Sequence, residues 1–260
     1  MGGLIAGGTD PADIVATVRR AARADELAKR HHGITAIAGE EEPENNKQAA
    51  TGADVVILGV KPIGIADLAR EIGDSLAPDT IVISVAAAVS LEQLESALPA
   101  GQPVIRSMPN TPAQLGRGVI SVSPGTHCSP AQLQLAKDVL ASAGTVVEIP
   151  EHQVDALSAI SGSGPAYAFY LAEAMADAGV ELGLDPELSR LIARETVAGA
   201  GLMLAEPGAD PAALRKAVTS PNGTTERAIA SFDARGLPAI IAEGARAAST
   251  RAAEITRQLG

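Results

Sequence analysis

Hydrophobic and polar positions follow two different rhythms along the 260 residues. Up to about Pro150, short β-branched runs alternate with amphipathic stretches. The runs predict strands over 14–18, 34–38, 54–60, 80–85, 103–107, 119–123 and 145–149. The stretches 24–31, 65–76, 91–98 and 131–143 predict helices between most of them. Strands separated by helices of this length imply βαβ units and a mostly parallel sheet. The run Asp54-Val-Val-Ile-Leu-Gly-Val60 is almost continuously apolar, the expectation for a central strand covered on both faces.

After Glu151 the strand-like runs stop. Alanine-rich segments predict helices over 165–182, 186–204, 211–219, 224–233 and 237–259. Pro165, Pro186 and Pro211 stand at their starts, where a missing N–H costs nothing. The small residues Ala-Gly-Ala-Gly at 198–201 suit close helix approach. The chain therefore divides into an α/β half, 1–150, and an all-helical half, 151–260. A helical half of this size buries itself only in part, which predicts a partner subunit.

Composition narrows the functional classes. The net charge of −11 disfavours nucleic acid and anionic membranes as partners. Aromatic residues make up 2%, too few for base-stacking platforms. No apolar window is long enough to span a bilayer, and the short opening Met1–Gly8 lacks a signal peptide's basic region. Cys128 is a single cysteine with no disulfide or CxxC partner. Together these features predict a cytoplasmic protein. The four histidines have no metal-ligand spacing, so no metal site is expected, and no nucleophile-elbow motif is present.

Several short stretches carry candidate chemistry, each with an ordinary structural alternative. Arg19-Arg20 ends the second-strand position of a dinucleotide fold, where arginine suits a ribose 2′-phosphate, or it is a plain basic loop. Val60-Lys61-Pro62 ends the most apolar strand, and Ala86-Ala87-Ala88 follows another with room for a flat ring. Ile105-Arg-Ser-Met-Pro-Asn-Thr-Pro112 is a rigid polar loop or a structural turn. Ser161-Gly-Ser-Gly-Pro-Ala166 reads as a flexible loop entering a helix, an anion site or a hinge. Thr219-Ser-Pro-Asn-Gly-Thr-Thr225 opens a helix with hydroxyls and amides that suit a carboxylate, or that simply cap the helix.

Taken in order, these stretches resemble the pyrroline-5-carboxylate reductase family. The resemblance covers nearly the whole chain, and its most specific part is LRKAVTSPNGTTERAIASFD, 214–233. The segments ALSAISGSGPAYAFYLAEAMADAG (156–179), IRSMPNTPA (105–113) and VKP (60–62) agree in register. The resemblance implies a Rossmann-like parallel sheet domain followed by an all-helical dimerisation and substrate domain, assembled as a homodimer or a ring of dimers. It implies hydride transfer from NADPH, with NADH as a second possibility, to the C=N carbon of 1-pyrroline-5-carboxylate, giving L-proline. Asn46, Val60, Lys61, Pro62, Ala86 and Ala87 are then expected at the dinucleotide, joined by Arg19 and Arg20. Ser220, Gly223, Thr224 and Thr225 are expected to hold the substrate, Thr225 at its nitrogen. Ala88 and Asn222 stand where the family commonly has glycine; asparagine tolerates left-handed backbone.

The opening Gly2-Gly-Leu-Ile-Ala-Gly-Gly8 resembles the end of the family's first helix. The first strand and the G-x-G-x-x-G turn that the family places before it are not in this sequence, so either the true start lies upstream or the chain is a shortened form with an incomplete cofactor site. That strand would lie between those at 14–18 and 54–60, so both are expected to lack a neighbour. Two other readings of the residues stay open: a shortened dimeric homologue that cannot hold the cofactor, and another NADP-dependent reductase of the β-hydroxyacid dehydrogenase type.

Overall fold

The computed structural model describes residues 2–259. Two compact units divide it: one runs from the start of the chain to Gly162 and includes the stretch from Ser249 onward, the other is Ser163–Ala248.

In the first unit seven strands form: β1 (Val15–Val18), β2 (Thr35–Ala38), β3 (Val55–Leu58), β4 (Ile81–Ser84), β5 (Val104–Pro109), β6 (Gly118–Pro124) and β7 (Gly144–Glu148). All seven fall on the apolar runs. The helices α1 (Gly2–Ala6), α2 (Ala21–Arg30), α3 (Asn45–Ala50), α4 (Ile65–Ile72), α5 (Leu91–Ala97), α6 (Pro130–Ala141) and α7 (Val154–Leu157) lie before, between and after them. Ser90 and Ser129 open α5 and α6 with reciprocal capping boxes to Gln93 and Gln132.

The strands form two sheets, β1-β2 and β3-β4-β5-β6-β7. Pairing is parallel in β1-β2, β3-β4-β5 and β6-β7, and antiparallel between β5 and β6. The core lies on both faces of the larger sheet. Leu58, Val82 and Val104 meet Ile65, Ile72 and Leu94 on one face. Ile81, Ile83, Ile105, Ile120 and Val122 meet Ala136 and Leu140 on the other. Each such buried aliphatic side chain contributes about 1.5–3 kcal/mol.

The interruption falls where the sequence places it. β1 pairs only with β2, and β3 only with β4, among the described residues. The apolar run alone predicts a covered central strand, and that expectation is corrected: β3 is an edge strand, as the missing neighbour implies, with Ile57 41% exposed, and the fully buried strand is β4. Val15 on β1 is likewise 45% exposed. An apolar run signals coverage by helices, but its edge partners are set elsewhere in the chain.

Helix α3, which the apolar pattern did not reveal, ties the two sheets together. Buried Asn45 donates its amide to the carbonyls of Val18 and Ile37, at the ends of β1 and β2. Asn46 donates to Glu71 of α4 at 3.0 Å, and Ala50 enters the core of the larger sheet. The opening glycines have a packing reason. A Cβ on Gly7 would come within 2.8 Å of the Ser142 Cβ.

The second unit holds α8 (Gly164–Glu181), α9 (Pro186–Leu204), α10 (Pro211–Ala217) and α11 (Thr224–Ala234), and α12 (Leu237–Leu259) begins within it. Helices α8 and α9 meet closely at Gly179 and Ser189, where a Cβ would strike the Ser189 hydroxyl. That hydroxyl donates to the Ala176 carbonyl at 2.6 Å. A Cβ on Gly199 or Gly201 would meet nothing within 4 Å, so these glycines do not make the α8–α9 contact. Much of the apolar surface of this unit stays exposed, including Phe169 (69%) and Tyr170 (71%).

The polar stretch 161–166 is not a loop. Ser158–Gly162 forms a wide π-type helical turn, followed closely by α8. No helix among the described residues is long and apolar enough to cross a membrane.

Candidate active site

Parallel strands gather their following loops at one end of a sheet, the usual ligand site in such folds. The hydrogen-bonded register Leu58↔Ser84 brings two predicted stretches together, 60–62 after β3 and 86–87 after β4. The Val85 amide reinforces this by donating to the Leu58 carbonyl at 3.2 Å. Val60 and Lys61 are exposed, and Pro62 starts a short 3-10 turn. Ala86 is buried, while Ala87 is exposed beside it. Ala88 adopts the left-handed conformation, φ 62°, that the family's glycine would take without strain.

Arg19 and Arg20 follow β1, in the other sheet, and are exposed. The guanidinium of neither makes a hydrogen bond or ion pair among the described residues, and the same holds for the Lys61 ammonium. Glu40 accepts the Ala21 amide at the start of α2, so a carboxylate also lies in this region. Asn46 sits half-buried on α3 with its amide engaged by Glu71. In a chain of net charge −11, three free cations at strand ends are a local exception. Lys61 lies beyond the strand next to the one that Ala86 and Ala87 follow, and the arginines follow β1 in the other sheet; cations and small residues of this kind suit a phosphate-bearing dinucleotide.

In the second unit the loop 219–225 leads into α11. Its N-cap is Gly223, which caps with no side chain, so the helix-capping alternative for these hydroxyls does not hold. Glu226 instead reaches back to accept the Asn222 amide at 2.8 Å. Asn222 is left-handed at φ 60°, as its side chain permits. The amides of Thr224 and Thr225 have no acceptor among the described residues. Ser220 and Thr224 are exposed, Thr225 is half-buried, and none of the three hydroxyls is engaged there. Thr219 is spent on the Arg215 carbonyl at 2.6 Å. Free amides, the positive end of a helix and unengaged hydroxyls make a carboxylate-binding arrangement.

Two residues of the polar stretch 105–112 have partners that the sequence did not reveal. Arg106 on β5 is 5% exposed and pairs with Glu151 at 2.9 Å. Asn110 is a brace between β6 and the π-type turn. Both lie within that stretch, and their partners stand 45 and 51 residues away.

A Rossmann-like parallel sheet with free cations after its strands, followed by helices, defines an NAD(P)H-dependent oxidoreductase fold. Two family models agree with this division: "NADP oxidoreductase coenzyme F420-dependent" matches residues 1–88, and "Pyrroline-5-carboxylate reductase dimerisation" matches 151–255. A pyrroline-5-carboxylate reductase of Corynebacterium melassecola is 39% identical over 256 residues, covering 97% of this chain and 92% of the relative. One from Pseudomonas aeruginosa is 42% identical over 218 residues, covering 84% and 80%. The crystal structure of the Coxiella burnetii enzyme superposes with a TM-score of 0.89 at 35% identity, covering 98% and 92%. The chain belongs to the pyrroline-5-carboxylate reductase family.

Proposed function

We propose that the protein reduces 1-pyrroline-5-carboxylate to L-proline, with NADPH as its preferred reductant. The observation that carries this reading is the 219–225 loop: open helix amides for the substrate carboxylate, with unengaged Ser220, Thr224 and Thr225 hydroxyls beside them. In this reading Arg19 and Arg20 hold the 2′-phosphate, and Asn46, Val60, Lys61, Pro62, Ala86 and Ala87 line the dinucleotide. When bound, NADPH supplies the hydride.

The chain's own residues then have a modest task. A cyclic imine nitrogen is basic enough to carry a proton near neutrality, so the acceptor needs no strong protein acid. Thr225 accepts the N–H of the protonated ring through its hydroxyl oxygen and so fixes the ring's face. The α11 amides and Ser220 hold the carboxylate. Rate then comes from alignment of two reactants rather than from a tuned acid or base. This agrees with a site built without histidine.

The exposed apolar faces of α8 and α9 support a homodimer, with rings of dimers as the larger assembly. The absence of a long apolar helix is compatible with the cytoplasm as its place of work. The test is oxidation of NADPH followed at 340 nm with pyrroline-5-carboxylate as substrate, alongside a titration of NADPH by fluorescence. Turnover with proline as product supports the reading. NADPH binding without turnover of this imine would assign the fold to a different substrate, and failure to bind NADPH would overturn the reading.

A further inference from the structure

The loop Val85–Ser90 joins β4 to α5 and carries Ala86 and Ala87. Its near end is tied to the sheet, where the Ala86 amide donates to the Ser84 hydroxyl at 3.4 Å. Its far end is tied by a residue from much later in the chain. The amide of Leu91, the first residue of α5, donates to Glu151 Oε1 at 2.7 Å. The same oxygen accepts the Arg106 guanidinium at 2.9 Å. Arg106 pairs with Ser84 in the β4-β5 register, so the two side chains share one sheet face.

We infer that Glu151 is a positioning residue for the cofactor-facing loop, with Arg106 as its anchor in the sheet. A guanidinium at 5% exposure must have an acceptor, because a lone buried charge is strongly unfavourable. Glu151 supplies that acceptor and spends the same oxygen on the loop. The loop between the two ties contains left-handed Ala88, a conformation that an alanine keeps only when its surroundings enforce it. Ser84 and Glu151 thus fix both ends of a segment whose middle is strained. The inference rests on the reductase reading only in its kinetic part.

The test compares three variants with the wild type. Glu151→Gln keeps an Oε1 acceptor for both donors and removes the charge. Glu151→Ala removes the acceptor. Should that variant fail to fold, Glu151→Ala with Arg106→Met removes the unpaired cation as well and still frees Leu91. Hydrogen exchange at the Leu91 amide should accelerate at least tenfold in the alanine variant or its double, with β6 and β7 unchanged. The KM for NADPH should rise at least tenfold with kcat within threefold, and Glu151→Gln should stay within threefold of wild type on both. Unchanged exchange at Leu91 would overturn the pin. Accelerated exchange with an unchanged KM would overturn its role at the cofactor. A wild type that takes no NADPH refutes the reductase reading instead, and the exchange experiment still decides on the pin.

Discussion

Asn110 donates its side-chain amide to the Ser161 carbonyl at 2.9 Å, while its own Oδ1 accepts the Val119 amide at 2.9 Å. One side chain thereby fixes the start of β6 and the wide turn that precedes α8. The usual helical donor to the Ser161 carbonyl would be the amide of residue 165, and Pro165 has none; Asn110 supplies the bond instead.

The consequence is measurable. Asn110→Ala leaves a part-buried carbonyl and a part-buried amide unpaired, at about 1–3 kcal/mol for each group stranded away from water. The expected outcome is a clear drop in the urea midpoint. Asn110→Asp keeps the acceptor and loses the donor, so it should fall between. Equal midpoints for all three proteins would show that water replaces both bonds.

Thr225→Ala should lower kcat for the proposed reaction roughly 10- to 100-fold, the equivalent of one positioned hydrogen bond at about 1–3 kcal/mol. The KM for NADPH should stay within about twofold, since the proposed function places Thr225 at the substrate and not at the cofactor. Steady-state kinetics on both substrates check this. A mutant with wild-type kcat would remove Thr225 from the site.

Arg19 and Arg20 have no competing partner among the described residues, so a phosphate meets them unspent. Replacing both with alanine should cut the NADPH-to-NADH ratio of kcat/KM by at least tenfold, chiefly through weaker NADPH binding. An unchanged ratio would leave them as surface charge.

Ala88 occupies left-handed backbone at φ 62°, which costs a β-carbon-bearing residue about 1–2 kcal/mol. Glycine relieves that strain but loosens the unfolded chain by about 0.4–1 kcal/mol. Ala88→Gly should therefore stabilise the protein by up to about 1 kcal/mol, read as a higher Tm. A lower Tm would mean that the methyl group's burial outweighs the strain.

Burial pushes the Cys128 thiol above the usual thiol range. A raised value means less thiolate at any pH below it, and the thiolate is the reactive form. Alkylation at pH 8 should be slower in the folded protein than in urea, and the folded rate should keep climbing as pH rises. Equal rates in both states would show that the sulfur is fully open to reagent.

Much of this architecture was legible in the sequence, for a physical reason. Strand runs such as Ile81–Ser84 and proline-started helices such as Pro186–Leu204 are local patterns, and local patterns survive without knowledge of their neighbours. Helix α3 escaped because Asn45-Asn-Lys-Gln has no apolar period; the helix is held by side-chain amides reaching distant carbonyls. The Arg106–Glu151 pair escaped for the same reason, since no spacing rule joins residues so far apart. The edge position of β3 was legible only through the family resemblance, which places a strand between it and β1; its apolar run alone reads as a central strand, because a strand's neighbours are a property of the whole sheet. In the loop 219–225, residue types were legible but their state was not. Only the structure shows that Gly223 caps α11 with no side chain and that the hydroxyls are left unengaged.

The break between β1 and β3 also bears on how this half of the protein comes apart. The two-stranded sheet and α2 form a small flap that α3 ties to the larger sheet through Asn45, Asn46 and Ala50. A two-stranded sheet is expected to open at lower free energy than the five-stranded sheet. In the proposed reading, a dinucleotide gripped by Arg19 and Arg20 on the flap and by Lys61 beyond the break would stitch the two pieces together from outside. Cofactor would then act on the fold as a clasp. Its concentration would set how tightly the flap is shut, by the ordinary arithmetic of ligand linkage.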